Sequence, residues 1–509
     1  MEKTSGPQRE RDRLQVALLD PRDDVATALA DVPAGTRLSL AVAERVCEVE
    51  TREPIALGHK VALRALAAGE AVRKYGQVIG RATRGILPGD LVHVHNLASE
   101  PRSDATTPPS AEPAAARRAV PALGQQTFQG YRRADRRVGV RNHVLVLSPT
   151  GLTSAAARRI HAAVRGTVCV TSGFGRGQLA DDARLHFDTL AGLSTHPNVA
   201  AVVVLAAGPD IAQRYAEAAA GAGKPCVALS LPDVREDAIA LVDAGVRAAT
   251  RLVREASALR REACDVAELC IAVECGHSDA TSGLVCNPLA GRIVQAIVDA
   301  GGQAMFSETV EWIGAEHLLA GRAATPDVAR RIVAAVAARE RASRALGDDI
   351  RAQNPGPQNK AGGLSTLEEK ALGAIAKGGD GPIRDVLRAT ERPRGPGLFL
   401  MDTPFFSPES MTAMVAGGAQ IVLFTTGAGN SYASLIAPTV KMSANPATVS
   451  RLAEQIDFAG SGILDGTSSM DALVARGAGH LLDVASGTLT FGEIVGEGDE
   501  VVSRLGPST

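Results

Sequence analysis

The run LCIAV at 269–273, the run QAMF at 303–306 and an apolar period of helical spacing between them, from about 288 to 300, leave this chain little local choice. The pattern predicts a strand, a helix and a second strand. Polar groups follow each strand: Glu274, Cys275, His277, Ser278 and Asp279 after the first, Ser307, Glu308, Thr309 and Glu311 after the second. Open parallel sheets bind ligands beyond the carboxyl ends of their strands, so two adjacent strand ends would aim both clusters at one volume. A site is expected there.

The 509 residues exceed one ordinary core, so roughly two to four domains are expected. A formal net charge of −2 gives no electrostatic reason to bind nucleic acid or an anionic membrane. The start, MEKTSGPQRERDRLQ, is charged, and no stretch reaches the roughly 18 apolar residues of a membrane span. A cytoplasmic protein is expected. Its seven cysteines include no Cys-x-x-Cys pair, and most sit in apolar strand contexts that suit buried thiols.

Residues 1–98 carry a small β-rich unit, with LQVALL, TRLSLAV and KVALRAL punctuated by turn sequences. It ends in LVHVHNLA, which reads as a strand placing His93 and His95 on one face, with His59 able to approach. A metal site and hydrogen-bonded surface imidazoles both fit that spacing. Residues 99–126 are a Pro/Ala/Ser-rich linker. From 127 the pattern alternates apolar strands and helices, giving one α/β unit over 127–262, with a helix near 240–263, and another over 263–509. Gly173-Phe174-Gly175-Arg176-Gly177 misses the dinucleotide fingerprint and reads as a tight turn before an anion site. The stretch NPGPQNKAGGLSTLEEK puts Asn359 and Lys360 before a helix start at Ser365-Thr366, which suits a carboxylate ligand or plain solvent. Near the end, GLFLMDTP and GAQIVLFTTGAG repeat the strand pattern around a helix at about 408–416, ending in Asp402 and in Thr425 and Thr426, with Lys441 following in PTVKMSAN.

Several blocks resemble the altronate and galactarate dehydratases: HKVALRALAAGEAVRKYGQVIGRATRGILPGDLVHVHNL, FQGYRRADRRVGVRN, ECGHSDATSGLVCNPLAG, SETVEWIGAEHLL, NPGPQNKAGGLSTLEEKALG, MDTP and GAQIVLFTTGAG, in order along nearly the whole chain. The resemblance implies an α/β protein with a small SAF-type N-terminal domain, a flexible linker and two Rossmann-like domains. It implies metal-assisted removal of water from an aldonate or aldarate, giving a 2-keto-3-deoxy acid, with Fe2+ or Mn2+ as the cofactor and Mg2+ as a further option. By analogy His59, His93 and His95 would hold the metal, with Asn96 beside them binding substrate. Lys360, Glu308, Asp279 and Glu274 would be catalytic. His277, Ser278, Glu311, Asn359, Asp402, Thr425, Thr426 and Lys441 would bind the hydroxy-acid substrate, and a homodimer is a candidate assembly. Which group is the base stays open, since Lys360 also suits a carboxylate clamp.

The chain departs from the family pattern in loops after strands. Gly151-Leu152-Thr153 replaces an Asn-Cys-Ser, Gly175-Arg176-Gly177 a Gly-Cys-Gly, and Gly208-Pro209-Asp210 a Gly-Cys-Glu; Ala428 replaces an arginine and Phe405 a glycine. A methyl group cannot make a bidentate carboxylate pair, so a smaller or less charged substrate is one consequence. Two alternatives therefore accompany the hydro-lyase reading: a sulfo-lyase acting on a small hydroxy acid, and a catalytically silent relative that only binds.

Overall fold

The computed structural model describes residues 15–42, 45–99 and 118–505. The charged start and most of the expected linker lie outside the described residues. Among those described, no helix is long and apolar enough to cross a membrane, and all seven cysteines are free thiols.

Cys270–Gly276 and Gln303–Phe306 are parallel neighbours joined through the helix Asn287–Asp299, as the pattern predicts. Successive strand residues face opposite sides. Ile271 and Val273 enter one core with Leu289 and Ile293, and Cys270 and Ala272 enter another with Met411 and Met414. Burial on both faces is what a continuous apolar run encodes. Five more parallel strands complete a seven-stranded sheet in the order Ile383–Arg388, Gly397–Asp402, Gln303–Phe306, Cys270–Gly276, Ile421–Thr426, Thr439–Ser443, Phe458–Ala459. The strand order reverses between Cys270–Gly276 and Ile421–Thr426, and an open α/β sheet forms its crevice beyond such a reversal.

The middle unit is a four-stranded parallel sheet ordered Thr167–Thr171, His143–Ser148, Val199–Ala206, Cys226–Ser230. One expectation needs correction. The helix ends at Ala256, and Glu262–Asp265 is instead a strand antiparallel to Thr127–Arg132. The apolar period lapses in Leu259-Arg260-Arg261, and the backbone beyond finds its partners across the sheet. The GFGRG segment is an irregular stretch with bends at Gly173, Arg176 and Gly177: Gly175 has φ +120°, and a Cβ there would lie 2.2 Å from the Pro149 carbonyl. Helix Ala180–Ser194 packs on Ser407–Ala416 so closely that Gly192 has no room for a side chain. The two α/β units therefore share a core.

The N-terminal unit is made of short antiparallel strands and docks on the larger unit through charge. Lys60 Nζ donates to Gly363 O (2.9 Å), Ser365 Oγ (2.8 Å) and Glu369 Oε2 (2.9 Å), and Lys74 Nζ donates to Glu369 Oε1 (2.8 Å). All three charged groups are fully buried. The expected LVHVHNLA strand is a second correction: it is broken into two short strands, Leu91–Val92 and Leu97–Ala98, with the chain turning between them at His93 to Asn96. The cause is Asn96, whose Oδ1 accepts from His93 N (2.9 Å) while its Nδ2 donates to Leu91 O (2.8 Å). His93 and His95 do not share a strand face.

Candidate active site

Glu274 stands on the Cys270–Gly276 strand with both oxygens filled. Oε1 accepts from Cys275 N (3.0 Å) and Lys377 Nζ (3.1 Å), Oε2 from Ser307 Oγ (2.7 Å) and Ser410 Oγ (2.8 Å). Lys377 spends its other two protons on Glu311 Oε2 (2.6 Å) and Cys275 Sγ (3.1 Å). Burial opposes that ammonium, yet Cys275, Glu274 and Glu311 hold its pKa well above the ordinary lysine value. Glu311 also accepts from the Cys275 thiol (2.9 Å), and Lys370 stands 3.7 Å from its other oxygen. Despite burial, Lys377 and Lys370 keep Glu311 ionised.

Glu308 completes the cluster differently. It follows the Gln303–Phe306 strand at φ +59°, a left-handed conformation that costs a non-glycine residue about 1–3 kcal/mol. Its backbone is fixed by donation to Thr403 Oγ1 (3.0 Å), but Oε1, fully buried, has no hydrogen-bond partner among the described residues. Burial, then the charges of Glu274 and Glu311, push its pKa well above the usual carboxylate range. Asn354 Nδ2 is likewise buried and unpartnered, while Asn354 Oδ1 accepts from Lys370 Nζ (2.9 Å). The half-exposed ring of Phe405 lies over Lys370, its centroid 5.0 Å away. A strained backbone, an unmet buried oxygen and a raised pKa occurring together mark a reacting group more often than a scaffold.

A second set of groups lines the seam with the N-terminal unit. The His59 and His93 rings lie 5.0 Å apart, centroid to centroid. His59 Nδ1 meets Leu57 O (3.3 Å) and His93 Nδ1 meets Ser365 Oγ (2.9 Å), leaving both Nε2 atoms free of protein partners among the described residues. Burial lowers the pKa of both, His93 to about 4, so both imidazoles are neutral at pH 7. The seam is tight: a Cβ on Gly58 would lie 2.9 Å from Ala280 Cβ, and one on Gly363 2.5 Å from Gly58 O. Asn359 Nδ2 donates to Ser278 O (2.7 Å), so the segment 354–360 runs from the buried cluster to this seam. Ser278 Oγ is buried and unpartnered, and Lys360 is half-buried with no side-chain hydrogen bond among the described residues.

The other expected residues fall in varied places. Asp279 is saturated by Thr281 Oγ1 (2.6 Å), Ser282 N (3.2 Å) and Asn445 Nδ2 (2.8 Å). His277 is exposed, with Nδ1 2.8 Å from Gly429 O, and His95 is exposed within the turn. Asp402 accepts from Thr309 Oγ1 (2.7 Å) and Arg339 (2.9 Å) and borders a cleft of about 600 Å³. Thr425 donates to Asn287 Oδ1 (2.6 Å), Thr426 accepts from Gly429 N (3.0 Å), and buried Lys441 is bound to Glu497 and to Ser431 O (3.1 Å). These three, and Asn96, have their polar atoms engaged within the protein. Sequence reasoning missed Lys370 and Lys377. Lys370 lies on the helix Leu367–Ile375 and Lys377 in the 3-10 turn Ala376–Gly378 that follows it, so no single periodic pattern in the sequence joined them.

Three family models match the chain in succession: the altronate/galactarate dehydratase SAF domain over 14–100, the D-galactarate dehydratase/altronate hydrolase second domain over 130–257, and the D-galactarate/altronate dehydratase C-terminal domain over 266–508. Altronate dehydratase of Bacillus subtilis is 32% identical over 492 residues, 92% of this chain and 94% of the relative. The chain belongs to the galactarate/altronate dehydratase family. It is an enzyme of the carbon–oxygen lyase class, and its N-terminal unit is a SAF domain. Two further relatives within reach of this family are the subunits of one enzyme from Chromohalobacter salexigens. The (2R)-sulfolactate sulfo-lyase subunit beta is 37% identical over 390 residues, 75% of this chain and 98% of the relative. Its subunit alpha is 44% identical over 54 residues, 11% of this chain and 57% of the relative.

Two donor sets in this family member bear on a metal. Glu274, Cys275 and Glu311 place ligand atoms within 4.8 Å of one another and could hold an ion, but Lys377 already supplies a cation to all three. His59 and His93 are neutral, keep Nε2 lone pairs available if protonated on Nδ1, and have that nitrogen oriented by an oxygen, the arrangement usual for metal-bound imidazoles. The histidine pair fits a divalent ion better.

Proposed function

We propose that this protein removes water across C2 and C3 of a small hydroxy acid, giving a 2-keto-3-deoxy acid, at the junction of the SAF domain and the seven-stranded sheet. One observation carries the reading: Glu308, buried and held at a positive φ, with an oxygen that no group among the described residues meets and Lys370 among the charges that act on it. Elimination needs a base for the proton α to the carboxylate, cationic groups for the enediolate, and an acid for the departing hydroxyl. Glu308 suits the acid, giving its proton to the β-hydroxyl as the C3–O bond breaks and water leaves. Lys370, with protons left after its bond to Asn354, suits the substrate carboxylate. Lys360, reacting as its neutral amine, takes the α-proton and becomes the ammonium; the enol then tautomerises to the ketone. Glu274 and Lys377, whose bonds are filled, position Glu311 and the strand end.

His59 and His93 would hold a divalent metal, with His95 near by. Such an ion supplies Lewis acidity toward substrate oxygens. The Rossmann-like description of both α/β domains belongs to the same proposal. For the C-terminal domain it is supported by the order of the remaining six strands, which counts 3-2-1-4-5-6 once the edge strand Ile383–Arg388 is set aside. A cytoplasmic location and a homodimer complete the reading.

The test incubates purified protein with Fe2+, Mn2+ or Mg2+ and a panel of aldonates, aldarates and short hydroxy acids, trapping any 2-keto product with semicarbazide. A metal-dependent product that disappears in Glu308→Gln supports the reading; a product made equally well by that variant refutes the role of Glu308. A second reading rests on the 37% identity to a sulfo-lyase subunit: the same elimination with sulfite as leaving group. Sulfite release from sulfolactate, with no product from sugar acids, selects it.

A further inference from the structure

The amino-terminal edge of the seven-stranded sheet, opposite the candidate active site, holds a cavity of about 280 Å³. Arg136, Arg137 and Pro197 border it from the middle domain; Cys270, Gln303 and Arg392 border it from the C-terminal domain. Cys270 and Gln303 begin the two strands whose other ends carry Glu274 and Glu308, so the cavity is separated from the proposed chemistry by the length of those strands.

Its charges do not balance. Arg137 is paired with Asp135 through Nε (2.8 Å) and Nη2 (2.6 Å), but its buried Nη1 has no partner among the described residues. Arg392 bonds Thr195 Oγ1 and no carboxylate among those residues; burial, then repulsion from Arg137, lowers its pKa to about 10. Arg136 is exposed at the rim with no side-chain hydrogen bond among the described residues. The one acid on the wall, Glu268, is engaged by Arg132 at 2.7 and 3.2 Å. Lys224 near by bonds Val199 O and adds no charge at pH 7, because burial followed by Arg133 and Arg137 lowers its pKa to about 6.

We infer that this interdomain cavity binds a small oxyanion bearing carboxylate or phosphate groups, held by Arg392 and Arg136 with Arg137 on the same wall. A planar guanidinium fork matches both oxyanions, and an anion here would offset the surplus positive charge of the three arginines. Because the wall is shared by two domains, occupancy would tie them together and stabilise the folded chain by mass action. The site is independent of the lyase reading.

The test is calorimetric titration of the full-length protein with inorganic phosphate and, separately, citrate, at ionic strength held constant with KCl, with thermal melts in parallel. The expected result is saturable one-to-one binding of at least one of them and a rising melting temperature. Affinity should fall about tenfold or more in Arg392→Gln and by a smaller factor in Arg136→Gln, which sits at the exposed rim and does not disturb the fold. Tighter phosphate points to a phosphate ester as the natural ligand, tighter citrate to a polycarboxylate. Absence of saturable binding for both anions, or equal affinity in wild type and Arg136→Gln with a natively melting Arg392→Gln, overturns the inference.

Discussion

Two buried lysine–glutamate clusters among the described residues differ in whether every carboxylate oxygen is met. At the SAF seam, Glu369 takes Lys60 on one oxygen and Lys74 on the other, and Lys60 spends its three protons on Gly363, Ser365 and Glu369. Beyond the strand ends, Glu274, Glu311 and Lys377 are as fully engaged, but Glu308 Oε1 and Asn354 Nδ2 beside them are not. A finished buried network fixes geometry; an unfinished one keeps a group in reserve for a ligand. The seam cluster is therefore read as a lock holding His59 and His93 in place, and the strand-end cluster as the reacting one.

The largest expected effect separates them by chemistry. Glu308→Gln should cut keto-acid formation about 10²–10⁴-fold, the range for losing a general acid, with little change in the melt. Lys360→Ala should also abolish turnover without unfolding the protein; a large drop in melting temperature would show that Lys360 is structural instead.

Stability should separate them next. Glu369→Gln leaves two ammonium groups buried without their carboxylate, and urea denaturation should show a loss of about 3–5 kcal/mol. Replacing Lys60, Lys74 and Glu369 together by apolar residues should recover most of that loss, because no charge then remains unpaired. A triple variant as weak as the single one would mean the seam is held by packing, not charge.

The two clusters should also answer pH in opposite directions. Glu369 has its pKa drawn to about 2: burial opposes this, and Lys60 and Lys74 prevail. Its stabilising contribution is present above the unfolded carboxylate pKa of about 4.5 and is lost as pH falls toward 2. Glu308 has a raised pKa, so the native state holds a proton that the unfolded chain gives up. Its contribution is present at low pH and declines as pH rises through the raised value. Denaturation curves across pH should show the alkaline decline shrinking in Glu308→Gln and the acid decline shrinking in Glu369→Gln.

The smallest effect concerns Phe405, whose ring covers Lys370. Phe405→Gly should lower KM several-fold for longer sugar acids and leave short hydroxy acids nearly unaffected; equal changes for both would remove it from the substrate path.

Much of the frame was legible because periodicity reports burial. The alternation of helix and strand, the paired clusters after 273 and 306, and the helix start at Thr366, whose hydroxyl accepts from Glu369 N (3.2 Å), all follow from local pattern. The misread parts depend on contacts distant in sequence. His93 and His95 looked like strand neighbours because the Asn96 side chain that bends the chain carries no periodic signal. Glu369 and Lys370 are adjacent in sequence yet serve different clusters, a division that the docking of Lys60 and Lys74 from some 300 residues away decides. Lys441 looked available after a strand, but its partner Glu497 arrives from the C-terminal segment.

The most direct test of the account measures turnover and unfolding free energy for Glu308→Gln and Glu369→Gln side by side. A crossed result is predicted, with Glu308→Gln folded and inactive and Glu369→Gln weakened in stability while retaining turnover in whatever fraction stays folded. The reverse pattern, an unstable Glu308→Gln and a stable but inactive Glu369→Gln, would contradict it and move the chemistry to the seam.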